Sequence, residues 1–168
     1  LRWQTRESNE SRLTHTRLKY VHKEFPNAKL YIIGYGRLFE HLKQLVQELN
    51  LDQTVILMGK QTDVKRFLWQ SDIFIATNFG YIASLEAWSA GLAVIAPDFG
   101  IMKETIQHEE NGLLVQPQNA QALASAIIRL LQDKQLREKL AANGSKTVKD
   151  FDIRSVAPRM AAVYRSIL

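Results

Sequence analysis

Short apolar runs alternate along the chain with longer stretches whose apolar residues recur every three or four positions. Lys29-Leu30-Tyr31-Ile32-Ile33, Thr54-Val55-Ile56-Leu57-Met58, Asp72-Ile73-Phe74-Ile75-Ala76, Leu92-Ala93-Val94-Ile95-Ala96 and Leu113-Leu114-Val115 each read as a strand. Gly34 and Gly59 close the first two runs, Pro97 stops the fourth, and the fifth ends near Pro117. Leu38, Leu42, Leu45, Val46 and Leu49 follow helical spacing after the first strand, and Val64, Phe67 and Leu68 mark a short helix after the second. Ile82, Leu85, Ala87 and Trp88 make the next helix, which starts near Tyr81, with Gly91 where a left-handed C-cap belongs. The rest reads as helix: Ala120 to Leu131, Leu136 to about Gly144, and Val156 to Leu168. Leu13, Leu18 and Val21 suggest a helix reaching Phe25-Pro26, while Arg2 to Ser11 is polar without a strand pattern.

Continuous apolar strands that each lead into a helix indicate a parallel sheet covered on both faces. Right-handed crossovers make such a sheet doubly wound and Rossmann-like, with about 5–6 strands here and a helical C-terminus. No linker, repeat or low-complexity tract divides residues 1–168, so one domain is expected. Ligands of these sheets bind at the carboxyl ends of the strands. Those ends are Gly34-Tyr35-Gly36, Gly59-Lys60-Gln61, Thr77-Asn78-Phe79-Gly80 and Asp98-Phe99-Gly100.

Composition narrows the chemistry. The chain has no cysteine, which removes disulfides, thiolate metal sites and cysteine nucleophiles and fits a reducing compartment. No run approaches the roughly 18 apolar residues of a membrane span, and the basic N-terminus lacks the apolar stretch of a signal peptide. The net charge of +5 suits solubility or an anionic ligand. Its basic residues are scattered and show no nucleic-acid motif, so a small anion is favoured over a polymer.

The nucleophile-elbow, zinc-helix and phosphate-loop motifs are missing. His15, His22, His41 and His108 stand at no trusted metal-pair spacing, and three of them are expected on solvated helix faces. Gly34-Tyr35-Gly36 lacks the third glycine and the downstream acid of a dinucleotide fingerprint and reads better as a tight turn. Asp150-Phe151-Asp152 has the spacing of a carboxylate pair for a metal, but Asp152 reads better as the cap of the last helix. The segment from Asp72 to Gly91 is richer. A glycine-containing loop feeds a helix whose free N–H groups and positive dipole end suit a phosphate. Glu86 stands between Leu85 and Ala87 in its second turn. A carboxylate held among apolar neighbours is costly unless hydrogen-bonded, and a ribose diol offers two hydroxyls. An ordinary exposed helix glutamate explains the same spacing equally well.

The runs Ser71-Asp72-Ile73-Phe74-Ile75-Ala76, Leu85-Glu86-Ala87-Trp88-Ser89-Ala90-Gly91-Leu92-Ala93-Val94-Ile95-Ala96 and Asn111-Gly112-Leu113-Leu114-Val115, with Gly80, Gly100 and Glu104, are similar to one family. Together they resemble the C-terminal domain of retaining GT-B glycosyltransferases, family four. The resemblance runs from about Pro26 to the end. It implies a nucleotide-sugar donor such as a UDP- or GDP-sugar, no other cofactor and no essential metal. It implies Glu86 as ribose ligand and Asn78 at the position of a donor-sugar glutamate, these two being the catalytic candidates. Backbone around Gly59, Lys60 and Gln61 would meet the base. Gly80, Tyr81, Ile82 and Leu85 would line the donor site, with Tyr81 and Ile82 offering N–H groups. The family's diphosphate-neutralising arginine and lysine align with Gln4 and Asn9, leaving Arg6, with Arg2 nearby, as the cation expected there.

The resemblance also implies a partner N-terminal domain that holds a glycan or lipid acceptor. A cytoplasmic place, including the inner face of the membrane through the whole protein, is the matching expectation. Three functions compete: the donor-binding half of a hexosyl-transferring enzyme, inactive alone; a binding or scaffold module with the same fold, motivated by Asn78; and a phosphoryl receiver. The receiver ranks low, because glycines stand at the strand ends where it needs acids.

Overall fold

The computed structural model describes residues 20–76 and 80–167. Five strands alternate with helices: β1 (Leu30–Ile33), α1 (Phe39–Glu48), β2 (Val55–Gly59), α2 (Lys65–Trp69), β3 (Ile73–Ile75), α3 (Tyr81–Ser89), β4 (Ala93–Pro97), α4 (Ile101–Thr105) and β5 (Leu113–Val115). Helices α5 (Ala120–Gln132) and α6 (Lys134–Thr147), a 3-10 turn (Val148–Phe151) and α7 (Ile153–Ile167) follow. Residues 20–24 are helical as well.

All pairings are parallel. β1 pairs with β2, and β3, β4 and β5 pair in that order. The strand count matches the expectation, but the described residues form two ladders rather than one sheet. Hydrophobic runs identify strands without specifying which edges meet, so this division has no signature in the pattern.

β4 shows why a parallel strand reads as an unbroken apolar run: every residue of it is buried. Its alternate side chains enter opposite cores. Val94 and Ala96 join Phe74, Trp88, Met102 and Leu68 on one face, toward α2, α3 and α4. Ala93 and Ile95 join Leu113, Ile127, Leu130 and Leu140 on the other, toward α5 and α6. Helices therefore cover both faces of the β3–β5 ladder, the doubly wound arrangement. Val46, Leu51 and Val55 form a third cluster under α1, with Leu30 and Ile32 against it.

Two helix ends obey local rules. At the end of α3, Gly91 has φ 81° and its N–H donates to the Trp88 carbonyl, while the Leu92 N–H donates to that of Ala87. This is the left-handed cap expected of a glycine. Asp152 caps α7: its carboxylate accepts from the Arg154 N–H at 2.8 Å. The end of α6 departs from expectation. The helix runs through Gly144 to Thr147, because Gly144 is placed by contact with Trp88 rather than by a need to stop the helix.

Candidate functional site

The site is assembled from strand ends. A register shift between Ile32 and Ile33 sets Ile33 opposite Gly59, and the Gly34 N–H donates to the Gly59 carbonyl at 2.8 Å. Gly59 has φ 62°, a conformation that strains any other side chain. The carboxyl ends of β1 and β2 are thereby held side by side. Beyond Gly59, Lys60 is exposed. The Gln61 amide donates to the Met58 carbonyl at 2.6 Å and accepts from Arg66 at 3.0 Å, so both ends of that side chain are engaged.

At the end of β3, the buried Gly80 is the N-cap of α3. Its carbonyl accepts both the N–H and the hydroxyl of Ser84, each at 2.8 Å. That is the first bond of the helix, so the N–H groups of Tyr81, Ile82 and Ala83 lie ahead of the hydrogen-bonded turn. Tyr81 is half-buried and meets the edge of Phe151 with ring centroids 6.1 Å apart. Ile82 is exposed, and Leu85 packs toward the core. Val64 and Leu68 of the α2 region share that core with Tyr81 and Leu85, so the segment after Gln61 and the start of α3 flank one cluster.

Glu86 lies one turn after Ile82 on the outer face of α3 and is exposed. The expectation of a carboxylate held among apolar neighbours is corrected here. Leu85 and Ala87 turn inward, while Glu86 points the other way, as helical geometry requires of adjacent positions. No hydrogen bond or ion pair engages its side chain among the described residues. Asn78, Arg6, Arg2, Gln4, Asn9 and His15 lie outside the described residues.

The rim continues at the end of β4. Gly100 has φ 55°, Phe99 and Ile101 are exposed, and Lys103 pairs with Asp98 at 3.6 Å. This exposed ion pair was not singled out from the sequence. His41 is exposed on α1, as expected of a histidine on a solvated helix face, whereas His22 bonds Thr54 at 2.7 Å and His108 accepts the Leu114 N–H at 3.0 Å outside any helix. Among the described residues no cluster of three His, Asp or Glu could hold a metal. None of the described helices is long and apolar enough to cross a membrane.

Comparison with known proteins identifies the class that this parallel α/β arrangement defines. The profile of glycosyl transferases group 1 matches residues 14–147, and the chain belongs to that family. An uncharacterized glycosyltransferase of Methanocaldococcus jannaschii is 30% identical over 92% of this chain and 43% of its own length. The lipopolysaccharide core biosynthesis glycosyltransferase LpsD of Rhizobium meliloti is 36% identical over 76% of this chain and 38% of its own. The chain thus spans about two fifths of the length of these relatives. Among solved structures, the C-terminal domain of a glycosyl transferase group 1 family protein (LpcC) from Francisella tularensis superposes with TM-score 0.71 at 29% identity, covering 86% of this chain and 80% of that one.

Proposed function

We propose that this chain is the donor-binding half of a retaining GT-B glycosyltransferase of family four, acting on a UDP- or GDP-sugar. The observation that carries the reading is Glu86: an exposed carboxylate that no side chain engages among the described residues, one turn beyond the first N–H groups of α3. The helix start offers donors and a positive dipole end to the diphosphate. The Glu86 carboxylate offers two acceptors to a ribose diol. In the transfer, the bond from the sugar's anomeric carbon to the diphosphate breaks. A bond to the acceptor's hydroxyl oxygen forms on the same face, and negative charge builds on the departing diphosphate, whose oxygen takes up the hydroxyl proton. Stabilising that charge and positioning the donor are the roles left to this half.

On this reading Arg6 helps neutralise the diphosphate and no metal is needed. The acceptor, a glycan or a lipid, is held by another domain of the whole protein, which works in the cytoplasm or at the inner face of the membrane. The net charge of +5 suits an anionic donor. UDP, GDP or ADP at millimolar concentration should raise the melting temperature, by an amount that chelator leaves unchanged and that Glu86→Ala removes. No shift with any of the three would overturn the reading.

Asn78 favours a second reading, a binding module of the same fold without turnover, because an amide carries no charge where the resemblance expects an acid. Turnover of a nucleotide-sugar by the full-length protein, lost in Asn78→Ala, rules that out.

A further inference from the structure

We propose that Tyr35 is the stacking platform for the nucleobase of the donor, an inference that rests on the nucleotide reading above. Tyr35 stands at the carboxyl end of β1, between Gly34 and Gly36, with 68% of its surface exposed. An aromatic ring this open at a strand end keeps a flat apolar face in water, which a planar ligand would cover. The ring is not loose. It leans on Phe39, the first residue of α1, with centroids 5.0 Å apart and planes at 41°. That buttress reduces the freedom lost when a ligand stacks on it.

Its neighbours narrow the ligand. The Gly34 N–H to Gly59 bond sets this loop beside the β2 end. There the Gln61 amide is already occupied by Met58 and Arg66, leaving backbone groups and the exposed Lys60 for polar contacts. A flat face beside the backbone of Lys60 and Gln61 suits a heterocyclic base. Gly36 leaves the approach open, since a Cβ there would meet nothing within 4 Å. Stacking accepts any base because every base has a π-face, so Tyr35 supplies affinity and leaves the choice of base to the backbone edge.

The test uses the full-length protein and titrations with UDP, GDP, ADP and base-free ribose 5-diphosphate. Tyr35→Leu should weaken each nucleoside diphosphate about tenfold, Tyr35→Phe should stay within roughly twofold of wild type, and ribose 5-diphosphate should bind wild type and Tyr35→Leu alike. If Tyr35→Leu binds nucleotides like wild type while Glu86→Ala does not bind them, the stacking assignment falls and the ribose reading stands. Equal weakening of the base-free ligand also overturns it, because Tyr35 would then act through the loop. If wild type binds no nucleotide, both readings fall together.

Discussion

Gly144 of α6 lies directly against the indole of Trp88 in α3: a Cβ placed on Gly144 would stand 2.7 Å from Trp88 Cγ and closer still to Cδ1 and Nε1. Trp88 is fully buried, and its indole N–H donates to the Asn111 carbonyl at 3.0 Å, so moving the ring aside would cost packing and that bond. The contact fixes the helix that carries Glu86.

Gly144→Ala is expected to destabilise the fold despite alanine's better helix propensity. Overpacking a core typically costs about 1–3 kcal/mol, against roughly 1 kcal/mol gained in propensity. The backbone position and the pinned indole put this site at the upper end, for a net loss of about 2 kcal/mol. Urea denaturation measures it. An unchanged midpoint would show that the two helices can separate freely.

Asn111 should be as sensitive for a different reason. It is buried, its amide oxygen accepts the Gln107 N–H at 2.8 Å, and its amide nitrogen donates to the Thr105 carbonyl and the Thr147 hydroxyl. Asn111→Ala removes the partner of the Gln107 N–H and the Thr105 carbonyl, while the Thr147 hydroxyl keeps its bond to the Asn143 carbonyl, at a cost of about 2–3 kcal/mol. Asn111→Asp keeps only the Gln107 bond and should not restore stability. Paired chemical denaturation curves decide this.

Glu86→Ala should leave the unliganded protein within about 0.5 kcal/mol of wild type, as expected of an exposed side chain that no described residue engages. The nucleotide-dependent rise in melting temperature should nevertheless vanish. A large loss of stability without ligand would mean that Glu86 supports the fold instead of a ligand.

Acid should find Asp152. Its hydrogen bonds from the Arg154 side chain and backbone hold its carboxyl at about 2, below the ordinary 3.8. A depressed carboxyl contributes stability above its ordinary value and loses it as pH falls toward the lowered one. Wild type should therefore lose more stability between about pH 4 and pH 2 than Asp152→Asn, whose profile should be flatter across that window. Because the group is solvated, the difference should shrink in high salt. Parallel profiles would exclude the linkage.

Much of the fold was legible because its signals are local. β4 is buried on both faces and so reads as continuous apolar sequence, and Gly91 adopts the left-handed conformation that favours glycine at a helix end. Asp152 caps the helix that follows it. The site was legible only in outline. Glu86 was correctly placed in the second turn of α3, but its exposure depends on which way that helix turns against the core. Tyr35 read as part of a tight turn, and nothing local marks its ring as open to solvent and propped on Phe39.

By itself the sequence determined the order of the five strands and most of the helices, though not α4, together with their parallel character and the loops at the strand ends, since these follow from apolar periodicity and from glycine, proline and capping residues at boundaries. Tertiary structure alone decided that the strands divide into two ladders among the described residues, that Gly144 continues a helix against Trp88, and that Glu86 faces outward. Each of these depends on contacts between residues far apart in the chain. Pattern within a segment carries no record of them, because burial and exposure are set by the neighbour that packing supplies.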